Sequence, residues 1–170
     1  MATNPRLYYF DTVTLSNFAL AGRVDLLAER YGDRARITSE VLSEVLDGIV
    51  AGYHPLRAVA EALEEGKLGN AGMLNAEERG IFLELLPMLS TGEASCIAMA
   101  QVRGGIVVTD DRAARGCCGE REILFTGTIG ILKALVRDGN LTLEVADLVL
   151  QTMIDAGYYS PVRRISELGR

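Results

Sequence analysis

Acidic side chains stand directly after two apolar runs of this sequence. Asp11 follows LYYF (7–10), and Asp110 and Asp111 follow GIVVT (105–109). A strand needs no pair of acids at its end, whereas hard divalent cations are bound in proteins by carboxylate oxygens of this kind. The pattern therefore favours a metal site over a simple turn.

Two further acids fall early in segments that are predicted to be helical. Glu93 lies in the first turn of a helix opened by Ser90, and Glu44 lies in the helix after a second short strand. Carboxylates packed together repel one another, so one or two Mg²⁺ or Mn²⁺ ions would be needed to stabilise the group. Oxygen ligands and a single histidine, His54, suit those ions better than zinc. Such a cation lowers the pKa of a bound water and clamps a phosphodiester for in-line attack.

Each of these acids also has a purely structural explanation. Glu93 completes a capping box with Ser90, although its helical face is shared with apolar residues, and a carboxylate on the core side needs a partner. Asp111 could cap the helix after it, Asp110 could end a strand, and Asp11 could be a turn residue. What favours a shared role is that all of them fall at one sheet edge.

Glu44 has the weakest individual case among the acids. It falls away from the apolar stripe of its helix, on the same side as Glu40. A solvated helix face explains that pair of glutamates equally well. Glu40 therefore competes with Glu44 for a place in the site.

Chain length, composition and net charge limit the classes of function that the protein could have. The 170 residues, with 49% hydrophobic and 24% charged residues, predict one domain with a proper core. The net charge of −6 has the wrong sign for holding nucleic acid by bulk electrostatics, but it does not exclude a nuclease whose acids are masked by cations. The lone histidine argues against a Ser-His-Asp triad. With no signal-peptide layout or membrane-length apolar run, a cytoplasmic protein is the expectation.

Strands alternate with helices along the chain, which predicts an α/β fold with a mainly parallel sheet. Ligand sites in such sheets form beyond the carboxyl ends of the strands. The stretch 64–75, rich in Gly and Asn, is predicted to be a loop. Strands are predicted at 7–10, 35–38, 105–109 and 122–125, and helices at 14–32 with a break near Gly22, from Ser39 to about Gly52, from Pro55 to Glu65, and at 76–89, 90–104, 111–118, 126–139 and 142–155.

Five stretches together resemble the PIN-domain nucleases over nearly the whole chain, most closely the bacterial and archaeal branch related to VapC-type toxins. They are FDTVTLSNF (10–18), VLSEV (41–45), GEASCIAMA (92–100), VVTDDRAAR (107–115) and TGTIGIL (126–132). The resemblance implies a Rossmann-like, three-layer α/β/α sandwich spanning residues 1–170, with a helical insertion around 54–90. It also implies a Mg²⁺- or Mn²⁺-dependent ribonuclease.

The same resemblance assigns roles to residues. It matches the four acids of the site to Asp11, Glu44, Glu93 and Asp111. Thr109 selects Asp111 as the fourth acid, with Asp110 as a neighbouring metal ligand.

Residues around the acids are assigned to the substrate. Thr128 or Thr126 matches a hydroxyl residue often found near the metal, and a helix N-terminus there could hold a phosphate. Arg112 and Arg115 are candidates for contacting an RNA phosphate, against the alternative of a solvated face. Toxin-type members of the family form homodimers and bind an antitoxin protein.

Two other function classes remain open from the sequence. One is a PIN-like module that binds protein or RNA without cleaving it. The other is a phosphoaspartyl enzyme, which also places Asp at strand ends with Mg²⁺. The second fits less well. Dehalogenase-like enzymes usually carry a second Asp two residues after the first, where this chain has Val13, and receivers carry a Lys after a late strand, where this chain has Thr-Gly-Thr.

Overall fold

The computed structural model describes residues 5–169 and has a sheet of five parallel strands at its centre, in the order β3-β2-β1-β4-β5. Residues 1–4 and 170, which the predicted domain includes, lie outside the described residues. The strands are β1 (Tyr8–Phe10), β2 (Ala35–Thr38), β3 (Gly69–Gly72), β4 (Ile106–Val108) and β5 (Phe125–Thr126). The α/β fold class with a parallel sheet is confirmed.

Helices flank this sheet and connect its strands. They are α1 (Thr12–Leu20), α2 (Val24–Tyr31), α3 (Ser39–Val50), α4 (Arg57–Glu64), α5 (Ala76–Leu85), α6 (Thr91–Arg103), α7 (Arg112–Glu120), α8 (Thr128–Arg137) and α9 (Leu143–Asp155). Short 3₁₀ turns lie at Gly32–Arg34, His54–Leu56 and Ile165–Leu168. No helix within residues 5–169 has both the length and the apolar character needed to cross a membrane.

Three helices begin at capping side chains that end a strand or follow its last residue by one to three positions. Asp11 accepts a hydrogen bond from the Thr14 amide at 2.8 Å, and Asp111 accepts one from the Ala114 amide at 2.8 Å. Thr38 caps α3 in the same way, so the prediction that Ser39 is the cap is wrong by one residue. Each capping side chain accepts a hydrogen bond from an amide that has no partner inside its helix. The cap therefore fixes both the start of the helix and the orientation of the capping side chain.

The core lies on both sides of the central strands. Phe10, Ile37 and Val108 are almost fully buried, as expected for strands covered on both faces. Helix α6 is buried from Gly92 to Ala100 except for Glu93, which is half-buried. Its small residues allow close packing, and it contacts β1, β2 and β4. Glu93 is therefore held by a helix that cannot easily shift.

The segment predicted as a loop at 64–75 contains β3, and that prediction is wrong there. The strand sequence GNAG has no β-branched residue, so local propensity gives no strand signal, and pairing with β2 supplies the structure instead. Gly69 is required at this edge, because a Cβ there would collide with the carbonyl oxygen of Asp33. Strand β5 also begins later than predicted, at Phe125.

The region predicted as a helical insertion, 54–90, contains a 3₁₀ turn, α4, β3 and α5. Helix α5 packs against α6, where Arg103 donates to the fully buried carboxylate of Glu78 at 2.7 Å. Arg103 also donates to the carbonyl of Ala71. The segment is therefore tied to the sheet through β3 and to α6 through an ion pair.

Candidate active site

The carboxyl ends of β1 and β4 meet at the point where the strand order reverses. The chain runs outward from β1 to β2 and β3 on one side, and from β4 to β5 on the other. Phe10 pairs with Val108, so Asp11 and Thr109 leave the sheet side by side. In open α/β sheets, ligands bind beyond the carboxyl ends of the strands at such a reversal of strand order.

Asp11 is the most deeply buried of the predicted acids, with 1% of its surface exposed. Its Oδ1 accepts from the Thr14 amide, and its Oδ2 accepts from Thr109 Oγ1 at 2.6 Å. Burial and, to a smaller extent, the charge of Asp110 raise the pKa of this carboxyl to about 6, against the lowering effect of those hydrogen bonds. The carboxylate form is thus costly in this setting unless a positive charge comes near.

Thr109 joins the two strand-end acids. While its hydroxyl donates to Asp11, it accepts from the backbone amide of Asp111 at 3.1 Å. The Asp111 side chain caps α7 and is exposed to solvent. A single hydroxyl therefore sets the orientation of Asp11 and the path of the chain at Asp111.

Glu93 completes the capping box expected from its sequence. Its Oε2 accepts from the Ser90 amide at 3.1 Å, and Ser90 Oγ accepts from the Glu93 amide at 3.3 Å. Burial raises the pKa of the Glu93 carboxyl, and the charges of Asp111 and Glu44 raise it further. The capping role does not exclude a site role, because the same carboxylate lies within electrostatic reach of two other predicted acids.

Glu44 is held against the start of α6 and the start of α1. Its Oε1 accepts from Thr12 Oγ1 at 2.9 Å, and a Cβ placed on Gly92 would overlap that same oxygen. Glu40 differs, because its Oε2 is buried and has no hydrogen-bond partner within the described residues. The structure thus brings Glu44, and not Glu40, into contact with residues adjacent to Asp11 and Glu93.

Asp110 turns away from Asp11 and towards the start of α8. Its two oxygens accept from the amide and hydroxyl of Thr128 at 3.0 and 2.5 Å. The amide nitrogen of Asn17 donates to Thr128 Oγ1 at 3.0 Å and lies 3.5 Å from Asp110 Oδ2. Arg115 lies 3.5 Å from the other oxygen. Asp110 is therefore already surrounded by donors of the protein itself.

The remaining predicted site residues differ in their surroundings. Thr128 is fully buried, with its hydroxyl engaged by Asp110 and Asn17. Arg115 donates from Nε to the Thr109 carbonyl at 2.9 Å, and its guanidinium lies 5.4 Å from the Phe125 ring centroid. Thr126 ends β5 next to β4, and Arg112 is exposed at the start of α7. Their roles in substrate binding stay predictions.

Sequence reasoning missed three residues of this region: Thr12, Asn17 and Tyr158. Asn17 is buried at 6% exposure on α1 between apolar neighbours, and a polar residue on an apolar helix face was the available signal. Tyr158, after α9, lies close enough to Asp110 and Thr128 that, besides burial, their contacts affect its pKa, which rises to about 12. No sequence spacing links that tyrosine to the acids.

The donor set fits a hard divalent cation by its chemistry, since Asp11, Glu44, Glu93 and Asp111 offer only carboxylate oxygens. Burial first, and then the charges of Asp111 and Glu44, raise the pKa of the Glu93 carboxyl, and a cation would relieve that repulsion. Within residues 5–169, however, no three acidic, histidine or cysteine side chains are grouped closely enough to hold a metal ion as they stand. Binding would require side-chain adjustment around the fixed position of Asp11.

The family model described as DUF3368, PIN domain, matches residues 8–170. No curated protein matches the sequence. The matched range contains every strand and helix of the described chain, from β1 onward.

Proposed function

The chain belongs to the PIN-domain family, and from this premise we propose that it is a Mg²⁺- or Mn²⁺-dependent ribonuclease. PIN domains are generally nucleases that act on nucleic acid. RNA as the substrate, hydrolysis of its phosphodiester bonds inside the chain and the need for a divalent cation are the parts that we propose.

One observation carries this proposal: a buried carboxylate, Asp11, at the strand-order reversal, with further acids around it. A buried acid with a pKa of about 6, which within residues 5–169 has hydrogen-bond donors but no cationic partner, is a costly arrangement that folding alone does not require. The charges of Asp111 and Glu44 add to burial in raising the pKa of the Glu93 carboxyl at the same sheet edge. Carboxylates that repel one another around a buried acid are the arrangement that a divalent cation stabilises.

In this proposal, the position of each residue in the site determines its role. Asp11, Glu93 and Asp111 would supply oxygen ligands, while Glu44 adds negative charge beside Glu93. A divalent cation supplies, when bound, an activated water and charge stabilisation at the phosphate. Thr109 holds Asp11 in one orientation before the ligand arrives.

Asp110 and Arg115 already make hydrogen bonds within the protein, and these bonds change the roles that we propose for them. Asp110 would have to exchange its hydrogen bonds with Thr128 for a metal, so we propose a supporting position for it. Arg112 is exposed beside Asp111 and is the better placed arginine for a phosphate, because Arg115 is occupied by the Thr109 carbonyl. The local arginine would offset the chain's net charge of −6 near the substrate.

The resemblance to VapC-type toxins supports a more specific proposal. We infer that the chain acts as the toxin of a toxin–antitoxin pair or as a related RNA-processing nuclease in the cytoplasm, as a homodimer inhibited by an antitoxin protein. We further propose that residues 1–170 form a single domain. The test of the toxin role is co-expression with the product of any small neighbouring gene, followed by measurement of growth and RNA cleavage.

The experiment that tests nuclease activity is incubation of the purified protein with a mixed panel of RNAs. Reactions contain Mn²⁺, Mg²⁺ or EDTA, and Asp11→Asn is compared with Asp155→Asn, an exposed aspartate outside the site. We expect cleavage that requires the metal, disappears in Asp11→Asn and persists in Asp155→Asn. Cleavage that survives both EDTA and Asp11→Asn would come from a contaminant or from another site and would contradict the proposal.

The alternative is a PIN-like module that binds protein or RNA without cleaving it. It predicts no cleavage by folded, partner-free protein and no divalent-ion binding by calorimetry. The four acids favour the enzyme, because a module that only binds has no use for a buried carboxylate with further acids around it.

A further inference from the structure

The opposite edge of the sheet, where the strands begin, carries a cavity of about 470 Å³. Its wall is formed by the residues that lead into β1, β2 and β4, together with the end of α6. Four of its lining residues are arginines, Arg6, Arg34, Arg36 and Arg103, and one is an acid, Asp33. This arrangement is unusual for a chain whose net charge is −6.

The charged residues that line the cavity have a net positive charge, even when Arg103, which is paired with Glu78, is not counted. Four arginines and one aspartate give +4 − 1 = +3. Arg103 is neutralised by its ion pair with Glu78, outside the lining, which leaves +2 from Arg6, Arg34 and Arg36 against Asp33. A cavity wall with this surplus attracts anions, and low-dielectric walls strengthen that attraction.

Hydrogen bonds to backbone carbonyls hold two of these arginines in place. Arg36 donates from Nη1 to the Asn70 carbonyl at 3.3 Å, and Arg34 donates from Nη2 to the Arg30 carbonyl at 2.9 Å. The Arg34 guanidinium also lies 5.9 Å from the centroid of the Tyr8 ring. Side chains fixed in this way lose less conformational entropy when they bind a ligand.

Polar atoms next to the cavity lack partners within the described residues. Arg36 Nε is buried and makes no hydrogen bond, and neither does the hydroxyl of the fully buried Tyr9. Arg103 and Arg36 lie close enough to that hydroxyl for their charges to act on it. A buried donor without an acceptor is costly, and Arg36 Nε belongs to a guanidinium group of the cavity lining, so an acceptor bound to that group would relieve the cost.

Bare backbone forms the wall between these groups. Gly104 and Gly105 both have positive φ, and a Cβ at Gly105 would come within 2.7 Å of the Leu7 carbonyl oxygen and 2.8 Å of the Tyr9 ring. Side chains are therefore excluded at this point. Gly105 is required by the close packing of this wall against Leu7 and Tyr9, and with Gly104 it presents bare backbone to the cavity.

We propose that this cavity binds a compact, phosphate-bearing anion of nucleotide size. The planar guanidinium group matches phosphate oxygens in pairs, and three arginines with a surplus charge suit a ligand with more than one negative charge. The cavity volume falls within the roughly 300–1,000 Å³ of small-molecule sites. A long polyanion fits less well, because away from the cavity it would meet a chain that is negative overall.

The site lies apart from the acids. The strands between the two edges are three or four residues long, which separates them by about 10 Å or more at about 3.3 Å per residue. The proposal therefore stands whether or not the chain cleaves RNA.

The test is isothermal titration calorimetry with inorganic pyrophosphate and with ADP, in EDTA so that the acids hold no metal. We expect one binding site, at least tenfold weaker in Arg6→Gln and Arg36→Gln, and unchanged in Arg163→Gln, an exposed arginine outside the cavity. Asp33→Asn should bind severalfold more tightly, which a folding defect would not produce. Thermal unfolding checks that each variant is folded, and the exposed Arg6 serves as the test position if the Arg36 variant does not fold.

Three outcomes would overturn the proposal. The first is no heat of binding for either probe at millimolar concentration. The second is binding that the arginine substitutions leave unchanged. The third is binding of a short single-stranded RNA that depends on these arginines while pyrophosphate and ADP do not bind, which would assign the cavity to a nucleic-acid backbone.

Discussion

Thr109 and Asp11 are joined by a 2.6 Å hydrogen bond across the two central strands of the sheet, and the same threonine accepts from the Asp111 amide. The acids are thus not simply adjacent at a sheet edge. One hydroxyl fixes a buried carboxylate and the chain direction at a second acid. This pairing makes Thr109 a positioning residue for the proposed site.

Replacing Thr109 with Val is expected to remove both hydrogen bonds while keeping the shape of the side chain. The buried Asp11 oxygen and the Asp111 amide would then lack partners, at a cost of about 1–3 kcal/mol in the free energy of unfolding. We also expect RNA cleavage to fall at least tenfold, because Asp11 is no longer held in one orientation. Urea unfolding and initial cleavage rates measure the two effects.

Thr109→Ser is the matched control, since it keeps the hydroxyl. It should recover most of the cleavage rate even where its lost methyl group lowers stability. Equal loss of activity in the Ser and Val variants would show that the hydrogen bonds are not what matters.

The buried carboxyl of Asp11 gives the metal-free protein a characteristic pH dependence. The folded state holds this proton up to a pKa of about 6, against an ordinary value of 3.8, so between these values it binds more protons than the unfolded chain. The free energy of unfolding contributed by Asp11 therefore falls as pH rises through that window. The loss amounts to about 3 kcal/mol, at about 1.4 kcal/mol for each pKa unit.

Asp11→Asn should remove this loss, because the amide caps α1 without carrying a charge. In EDTA we expect the variant to be more stable than the native chain at pH 7.5, by up to about 3 kcal/mol, with a difference that shrinks towards pH 4. Urea unfolding at a series of pH values measures it. A variant that is less stable at every pH would contradict a raised pKa at Asp11.

Gly92 leaves the space that the Glu44 carboxylate occupies. In Gly92→Ala the new Cβ would overlap Glu44 Oε1, and the flexible end of that side chain would move away and lose its bond to Thr12. We expect cleavage to fall at least tenfold, with little loss of stability because a helical alanine is favourable by about 1 kcal/mol. Cleavage assays and thermal unfolding separate the two.

Gly80→Ala is the control for that substitution. Gly80 lies in α5, where an added Cβ meets nothing within 4 Å, so this variant should be slightly more stable and equally active. If Gly92→Ala cleaves RNA as fast as the native chain, the position of Glu44 does not matter for the reaction.

The sequence was most informative where one strand directly precedes an acid. Apolar runs bounded by Asp11 and Asp111 predicted both the central strands and the edge at which the acids stand, because parallel strands bring their carboxyl ends together. The caps of α3, α6 and α7 could be placed to within one residue, since a Ser, Thr or Asp side chain there satisfies free amides. Asp11, interpreted as a possible turn residue before a helix predicted from residue 14, is instead the cap of α1, which begins at Thr12.

Other features depend on contacts between distant segments. Glu40 and Glu44 lie one helical turn apart on the same face, so only their tertiary neighbours, Thr12 and Gly92, distinguish them. Asp110 and Asp111 are consecutive, and no local pattern shows that Asp110 turns to Thr128. Strand β3 has no strand-forming residues of its own and exists through its pairing with β2.

Comparing Glu44→Gln with Glu40→Gln tests which glutamate belongs to the site. The charge of Glu44 helps to raise the pKa of Glu93, and Glu44 is held by Thr12, whereas Glu40 Oε2 has no hydrogen-bond partner in the described part of the chain. We expect Glu44→Gln to lower cleavage at least tenfold and Glu40→Gln to change it less than twofold. The reverse order in cleavage assays would move the second acid to Glu40.

We expect substitution of Asp110 to lower stability, and substitution of Asp111 to lower RNA cleavage and metal binding. Asp110 accepts from the amide and hydroxyl of Thr128, so in Asp110→Asn an amide nitrogen would face donors and the free energy of unfolding should fall by about 1–3 kcal/mol. Asp111 is exposed and keeps its capping role as asparagine, so Asp111→Asn should fold normally and lose cleavage and Mn²⁺ binding. Urea unfolding and metal calorimetry on both variants measure this division. Loss of Mn²⁺ binding in a folded Asp110→Asn protein, with Asp111→Asn unaffected, would instead make Asp110 the ligand.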